Sequence, residues 1–538
     1  MLLNLREMGL LAGFPAAAMA GEAQELLSPL RHLLPGELPP TIVGRTDRSE
    51  VAAALAVANQ AYGHPRAEEL AAKLADPATA IVITGQQPGL FGGPLYTFSK
   101  IIAAARWAHL LESRGQPAVA AFWVATEDHD FAEVAAGTFL GSAGPHRFGL
   151  GDDSQPLLPV GMRSLGEEVN RVLEKLREQQ KAPRFQEWLT TLSHWYRPNA
   201  RFGEAFSRLM VHLLGERCPL MVDSLLPSLK RAQAPWMAKL VRHREDLEAA
   251  ARGADEAIVA AGYSLQVSPQ PGSSPLFLLR GEQRRRIEWR GPGGYGLRGD
   301  DGSVREVEEL LGILEENPGI VSPGVLARPA IQDAVFGTTL QVLGPGELSY
   351  MPQAAATYRV LGIPAPHSVL RPQTLVLEPR HEEWLEDLGL SLEEVLGDER
   401  ELEKLLAQRA GADVVTPVAQ RVAELLGQLE EPVMAVDANL QKPFSKTRDQ
   451  IGRALDQLAG RVAASASRAD EIQRRRLDSI RGTSRPGGKL QERVVSTSFF
   501  PGKYGSGLTD AYWQQMVLDP CDLQVIRPVP SSQLEGQS

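Results

Sequence analysis

"TAIVITGQQPGLFGGPLYTFSK" (Thr79–Lys100) decides how this chain is built. A short β-branched run closed by a glycine is the mark of a buried parallel strand. A loop with four glycines follows, and Pro94 is placed for the first turn of a helix that "LYTFSKIIAAARWAHLLESRG" carries to Gly115. "PAVAAFWVATEDHD" (Pro117–Asp130) is a second apolar run, ending abruptly in four ionisable residues. Strand, loop, helix and strand in this order form a βαβ unit, which requires a parallel sheet.

Outward from this unit, the alanine- and leucine-rich stretch 49–75 reads as helix with a break near Gly63-His64-Pro65. Further strands are expected at 218–224, 262–267, 275–279 and 285–290, with helices at 167–180, 201–215 and 228–260. "TTLQVLGPGELSY" (338–350) reads as a core strand ending in a glycine loop, followed by helix at 354–362 and a strand within 365–372. Beyond about residue 380 the pattern becomes helical. Val418, Val422, Leu425 and Leu429 are spaced 4-3-4. After Pro432, Ile451, Leu455, Leu458, Val462, Ser465, Ala469 and Ile472 alternate spacings of four and three. That heptad seam predicts an antiparallel helical hairpin or a dimerising coiled coil, and the second is favoured. The expected organisation is α/β: a parallel-sheet core over 1–380, with inserted segments roughly at 150–215 and 228–320. A helical coiled-coil domain at 381–482 and a tail at 483–538 returning to the core complete it.

Composition narrows the function. The chain has 538 residues, 43% hydrophobic and 23% charged, as soluble multidomain proteins have. A net charge of −10 argues against nucleic acid or anionic membrane as partner. Cys218 and Cys521 alone cannot build a disulfide framework or a cysteine zinc site, and they fit a cytoplasmic protein. Ala18-Met19-Ala20 has the look of a signal-peptide cleavage site, but Arg6 and Glu7 leave no clear positive segment before it. A short N-terminal strand or helix on the core is expected instead.

Several motifs mislead. "GPGGYG" (Gly291–Gly296) satisfies G-x-G-x-x-G but lacks a buried strand before it and a helix after it, so it reads as a hairpin turn. No Walker phosphate loop occurs. "PFSKT" (443–447) reads as a helix start capped by Ser445 or Thr447.

Ligands of parallel α/β sheets bind outside the carboxyl ends of strands, where two loops of this chain emerge. In Thr84–Gly93, amides freed by Gly85, Gly89, Gly92 and Gly93 form a nest suited to a carboxylate or phosphate. Gln86 and Gln87 both donate and accept, which suits sugar hydroxyls or an amide, and Tyr96 and Lys100 share one helix face. The competing account is tight strand–helix packing and an ordinary amphipathic pair. In the second loop, Glu127, Asp128, His129 and Asp130 crowd three carboxylates and an imidazole at a strand end, a costly cluster without a ligand. General acid–base chemistry uses such a cluster, whereas Asp128 or Asp130 capping a following helix explains it structurally. No second histidine stands at a ligating spacing, so no metal is assigned. A third stretch, Arg328–Tyr350, contributes Arg328, Gln332 and Asp333 before its strand and Gly344, Gly346 and Glu347 after it.

"TGQQPGLFGGPLYTFSK", "FWVATEDHDFAEV" and "GPGELSY", with "LMVDSLLPSLKR", "RPAIQD" and "LQERV", resemble the bacillithiol synthase family, BshC, in the family's order over essentially the whole chain. The resemblance implies a Rossmann-like core with connecting insertions, a coiled coil that makes a homodimer, and the last step of bacillithiol biosynthesis. In that step cysteine is joined to the amine of glucosaminyl-malate. His129, assisted by Asp128 or Asp130, would take the ammonium proton. Lys100, Arg328 and the loop amides would hold carboxylates, and Gln86, Gln87 and Tyr96 would read sugar hydroxyls. Ligase chemistry implies ATP or another nucleotide, which no residue pattern here shows. The other reading is a non-catalytic sugar- or nucleotide-binding scaffold dimerised by its coiled coil.

Overall fold

The computed structural model describes residues 2–40, 46–141, 144–270, 272–300, 302–409, 414–468, 471–518 and 520–529. Its centre is a six-stranded, all-parallel sheet. The strands are β1 (Arg31–His32), β2 (Ala80–Gln86), β3 (Ala118–Val124), β4 (Leu220–Asp223), β5 (Leu340–Leu343) and β6 (His367–Leu370). They lie in the order β1-β6-β5-β2-β3-β4. From β2 the chain runs outward through β3 to β4, then crosses back to β5 and proceeds the other way. The order therefore reverses between β2 and β5, and a crevice at the carboxyl ends of such a pair is where doubly wound sheets take ligands.

Both faces of this sheet are covered, which is why its strands read as unbroken apolar runs. Val82, Ala120, Phe122, Val124 and Val342 face one core, with Phe98, Ile101 and Ile102 from helix α1 (Leu95–Ser113). Ile81, Ile83, Val119, Ala121, Trp123 and Val222 face the other, with Phe336. Gly85 is required where β2 meets β3, because a Cβ there would lie 2.9 Å from the Trp123 carbonyl oxygen. Fold and helical unit agree with the Rossmann-like, inserted and coiled-coil architecture expected.

The chain between β3 and β4 forms an antiparallel strand pair, 136–141 with 144–149, and helices at Glu168–Gln179, Pro183–Trp195 and Phe202–Leu214. Between β4 and β5 come α2 (Pro227–Arg242), a helix at Arg244–Ala260 and an antiparallel sheet built on Ser273–Arg280 and Gln283–Trp289. The expected helix at 228–260 is thus two helices parted at His243. Residues 262–267 are not a strand. The Val267 amide and carbonyl are satisfied by the Gln353 side chain, at 2.9 Å each, instead of by a neighbouring strand. The expected strand at 338–350 covers only β5, since Gly344 caps α4 (Pro345–Leu361), a helix already under way before residue 354. Residues 291–293 do form the turn before Gly294–Leu297, which pairs antiparallel with the preceding strand. At the N-terminus, Leu2–Asn4 pairs with Asp522–Ile526, and Gly13–Met19 is a buried helix. Among the described residues no helix is long and apolar enough to cross a membrane.

Two compact units divide the chain: residues 1–376 with 490–538, and Leu377–Lys489. The second is helical, dominated by Thr416–Val436 and Gln441–Arg468. Its first long helix runs through Pro432 to Val436, and Thr447 lies inside the second helix, donating to the Pro443 carbonyl at 3.0 Å rather than capping a start. Val418, Leu425, Leu429 and Leu458 are each about half exposed in this single chain. Ala469 of the heptad seam lies outside the described residues.

Candidate active site at the switch point

The carboxyl ends of β2, β3 and β5 carry most of the polar residues picked out by sequence. On β2, Thr84 Oγ1 donates to the Val342 carbonyl at 2.7 Å and ties the strand to β5. Lys100 reaches back from the second turn of α1, only 2% exposed. Its Nζ donates to the Gly85 carbonyl at 2.7 Å and to Gln86 Oε1 at 3.1 Å, and pairs with Glu347 Oε2 at 2.5 Å. Burial pushes this ammonium below its usual range, with Glu347 opposing that shift. Glu347 also accepts from the Gly344 amide at 2.7 Å, closing a capping box at the start of α4. Gly346 lies on the exposed first turn of the same helix.

Arg328 opens helix α3 (Arg328–Phe336) and faces the same crevice, donating to Gln332 Oε1 at 3.0 Å and Tyr350 Oη at 3.2 Å. Among the described residues no carboxylate pairs with it. Asp333 is directed elsewhere, into a buried network with Gln341, Gln332 and Tyr358, where burial raises its carboxyl to about 6. The crevice between β2 and β5 is filled by its own side chains, leaving about 10 Å³.

On the β3 side, Gln86 and Gln87 are held by carboxylates. Gln86 Nε2 lies 3.2 Å from Glu133 Oε1 and 3.3 Å from Tyr96 Oη. Gln87 Nε2 reaches Glu133 Oε2 at 2.8 Å and Asp128 Oδ2 at 3.0 Å. A continuous polar line therefore joins Glu347, Lys100, Gln86, Glu133, Gln87 and Asp128. Tyr96 lies beneath the Arg371 guanidinium, which forms a buried ion pair with Glu492 at 2.6 Å. Burial pushes the Tyr96 hydroxyl up to about 12.

The four ionisable residues after β3 separate. Glu127 turns inward to a buried ion pair with Lys230 of α2, and among the described residues its Oε1 has no hydrogen-bond partner. Asp128 accepts from the His129 amide at 2.7 Å. Asp130 caps the single turn Phe131–Val134, accepting from the Glu133 amide at 3.2 Å. His129 Nδ1 lies 3.0 Å from Arg284 Nη1. Burial and the Arg284 charge hold this imidazole below its ordinary range, against Asp128 and Asp130.

Three of the four glycine amides expected to form an anion nest are bonded within the protein. The amides of Gly89, Gly92 and Gly93 are spent on the Gln87, Gly89 and Leu90 carbonyls, and Gly92 also donates to Tyr196 Oη. Gly92 is buried where a Cβ would strike Met210 and Thr497 at 2.9 Å. Gly92 thus serves packing and Gly93 a backbone turn in the left-handed region, with φ +65°, and only Gly85, Gln86 and Gln87 of the loop reach the polar line. Sequence reading missed Glu133, Lys230, Arg284 and Arg371. Glu492 sits in the "LQERV" stretch without any role having been read from it.

A doubly wound parallel sheet with ionisable side chains gathered at its switch point, joined to a separate helical unit, defines a Rossmann-like α/β protein with a coiled coil. The chain belongs to the BshC family of bacillithiol biosynthesis: residues 41–372 match its N-terminal Rossmann-like domain and 374–523 its C-terminal coiled-coil domain. It is similar to the "Putative cysteine ligase BshC" of Salinibacter ruber, 30% identical over 492 residues and 89% of each chain. The protein of the same name from Solibacter usitatus is 29% identical over 488 residues, again 89% of each. One solved structure, a "putative arginyl t-RNA synthetase" from Campylobacter jejuni, covers 78% of this chain and 94% of its own at 10% identity. Its TM-score of 0.23 is too low to say anything of the fold.

Proposed function

We propose that this protein forms the amide bond between the cysteine carboxyl and the amine of glucosaminyl-malate, completing bacillithiol, and that it does so as a homodimer joined by its coiled coil. The observation that carries the reading is the presence of both kinds of charge near the switch point, a cation at the start of α3 and an acidic edge after β3. Arg328 makes no direct ion pair among the described residues, although Glu347 and Glu127 act on it from nearby, and its guanidinium suits a substrate carboxylate. Asp128, Asp130 and Glu133 form an acidic edge, which suits an ammonium group and can take its proton before attack. Glucosaminyl-malate carries both kinds of group. The neutral amine nitrogen bonds to the acyl carbon and loses its proton as the group activating the carboxyl departs, so the carboxyl must arrive activated.

Incubating the purified chain with glucosaminyl-malate and cysteine, with and without ATP, and detecting thiol-labelled product by mass spectrometry tests the reaction. Bacillithiol is expected. Its absence under every nucleotide supplied, with ligand binding intact, would replace the ligase by a binding scaffold.

A further inference from the structure

One contact of His129 decides where its proton sits. Arg284 Nη1 approaches Nδ1 at 3.0 Å. A guanidinium has donors only and stays protonated in folded proteins, so Nδ1 must accept. The single ring proton is then on Nε2. The arginine is not free to turn away. Its Nε donates to Ser322 Oγ at 2.8 Å and its Nη2 to the Pro323 carbonyl at 3.0 Å. The guanidinium carbon stands 3.9 Å from the centre of the Phe277 ring, and the residue is 6% exposed. Among the described residues Nε2 of His129 has no hydrogen-bond partner.

We propose that Arg284 is a positioning residue that fixes His129 as the neutral Nε2–H tautomer, making His129 a hydrogen-bond donor to a substrate carboxylate and not the base of the reaction. Protonating Nδ1 would set an N–H against an N–H and place a second cation beside a buried guanidinium. Asp128 and Asp130 from the ring's own loop favour that cation, while Arg163 and Arg284 from the packed elements oppose it, with burial. The proton of the attacking amine therefore goes to a carboxylate of the acidic edge. The identity of the substrate rests on the amide-forming reading above, but the tautomer does not.

The full-length protein with ¹⁵N-labelled histidine tests this by long-range proton–nitrogen correlation, His129→Gln identifying the signals by their loss. A pyridine-type Nδ1 and a pyrrole-type Nε2, with no titration near the ordinary value of about 6.5, are expected. Arg284→Met should restore a tautomer mixture and move the titration up toward that value, with burial still holding it lower, and Arg284→Lys should fall between. L-malate and cysteine are then added separately. A shift of the Nε2 signal with one identifies whose carboxylate is held, and no shift with either overturns the donor role. In the product assay His129→Gln, which keeps an amide donor, should stay within about tenfold of the native rate, while His129→Leu should lose about 10²–10³-fold. Equal losses would restore histidine as the base, and a native spectrum with the proton on Nδ1 would overturn the proposal even if Arg284→Met fails to fold. A native protein that makes no bacillithiol but shows the expected spectrum refutes the reaction and leaves the tautomer standing.

Discussion

Lys100 Nζ and Glu347 Oε2 meet at 2.5 Å across the point where the strand order reverses, one from the helix after β2 and the other from the helix after β5. The two ends of this pair are not equivalent. Without the lysine, Glu347 keeps the Gly344 amide and is partly exposed. Without the carboxylate, a 2%-exposed ammonium keeps only two neutral oxygens. Glu347→Gln is therefore expected to cost about 3 kcal/mol, near the lower bound for stranding a buried charge, and Lys100→Met clearly less. Urea unfolding of both variants checks the order, and a reversed order would show that the lysine does not depend on its partner.

Asp333 sets a pH dependence with a definite sign. Its folded carboxyl titrates near 6 because of burial, against about 3.9 in the unfolded chain. Between those values the native state holds the extra proton, so this group's stabilising contribution is present below about 4 and lost as pH rises through about 6. The full span is on the order of 2–3 kcal/mol. A protonated-carboxyl infrared band that disappears near pH 6 in native minus Asp333→Asn difference spectra is expected. A band already absent at pH 5 would mean that the donors from Gln341 and Tyr358 outweigh burial.

The Glu127–Lys230 pair separates a structural from a chemical role for the first residue of the acidic cluster. Both side chains are almost wholly buried. Either Glu127→Leu or Lys230→Met alone strands a charge and should cost about 3–5 kcal/mol, whereas the double variant should recover most of that loss. Recovered stability with recovered product formation assigns the pair to the scaffold. Recovered stability without activity would place Glu127 in the chemistry.

The βαβ unit was legible because strands buried on both faces must be apolar throughout, and β2 and β3 have few interruptions. The start of α4 was misread for a local reason. Glycine and proline in "GPGE" suggested a loop, yet Pro345 at the first helical position and Glu347 two residues later are helix-start signals. Residues 262–267 alternate like a strand, but the partner of Val267 is a side chain 86 residues away, which no local pattern encodes. The site was half legible for the same reason. Residues at the ends of β2 and β3 announced themselves, while Arg284 and Lys230 look like ordinary solvated cations until the fold carries them to His129 and Glu127. The glycines of the loop gave the opposite error. Gly92 serves a close approach of Met210 and Thr497, from segments more than a hundred residues away.

The helical unit carries the last expectation. Leu425 and Leu458 lie on its two long helices at heptad positions, each about half exposed in the single chain. Half-exposed leucines at heptad positions of both helices leave apolar surface that a second copy can cover, and burying each is worth about 1.5–3 kcal/mol. Leu425→Asp combined with Leu458→Asp should therefore convert the protein to a monomer by light scattering. The first unit has its own two-sided core, so its thermal unfolding should shift little. A double variant that still runs as a dimer would remove this seam from the interface, and one that unfolds throughout would show that the two units are not independent.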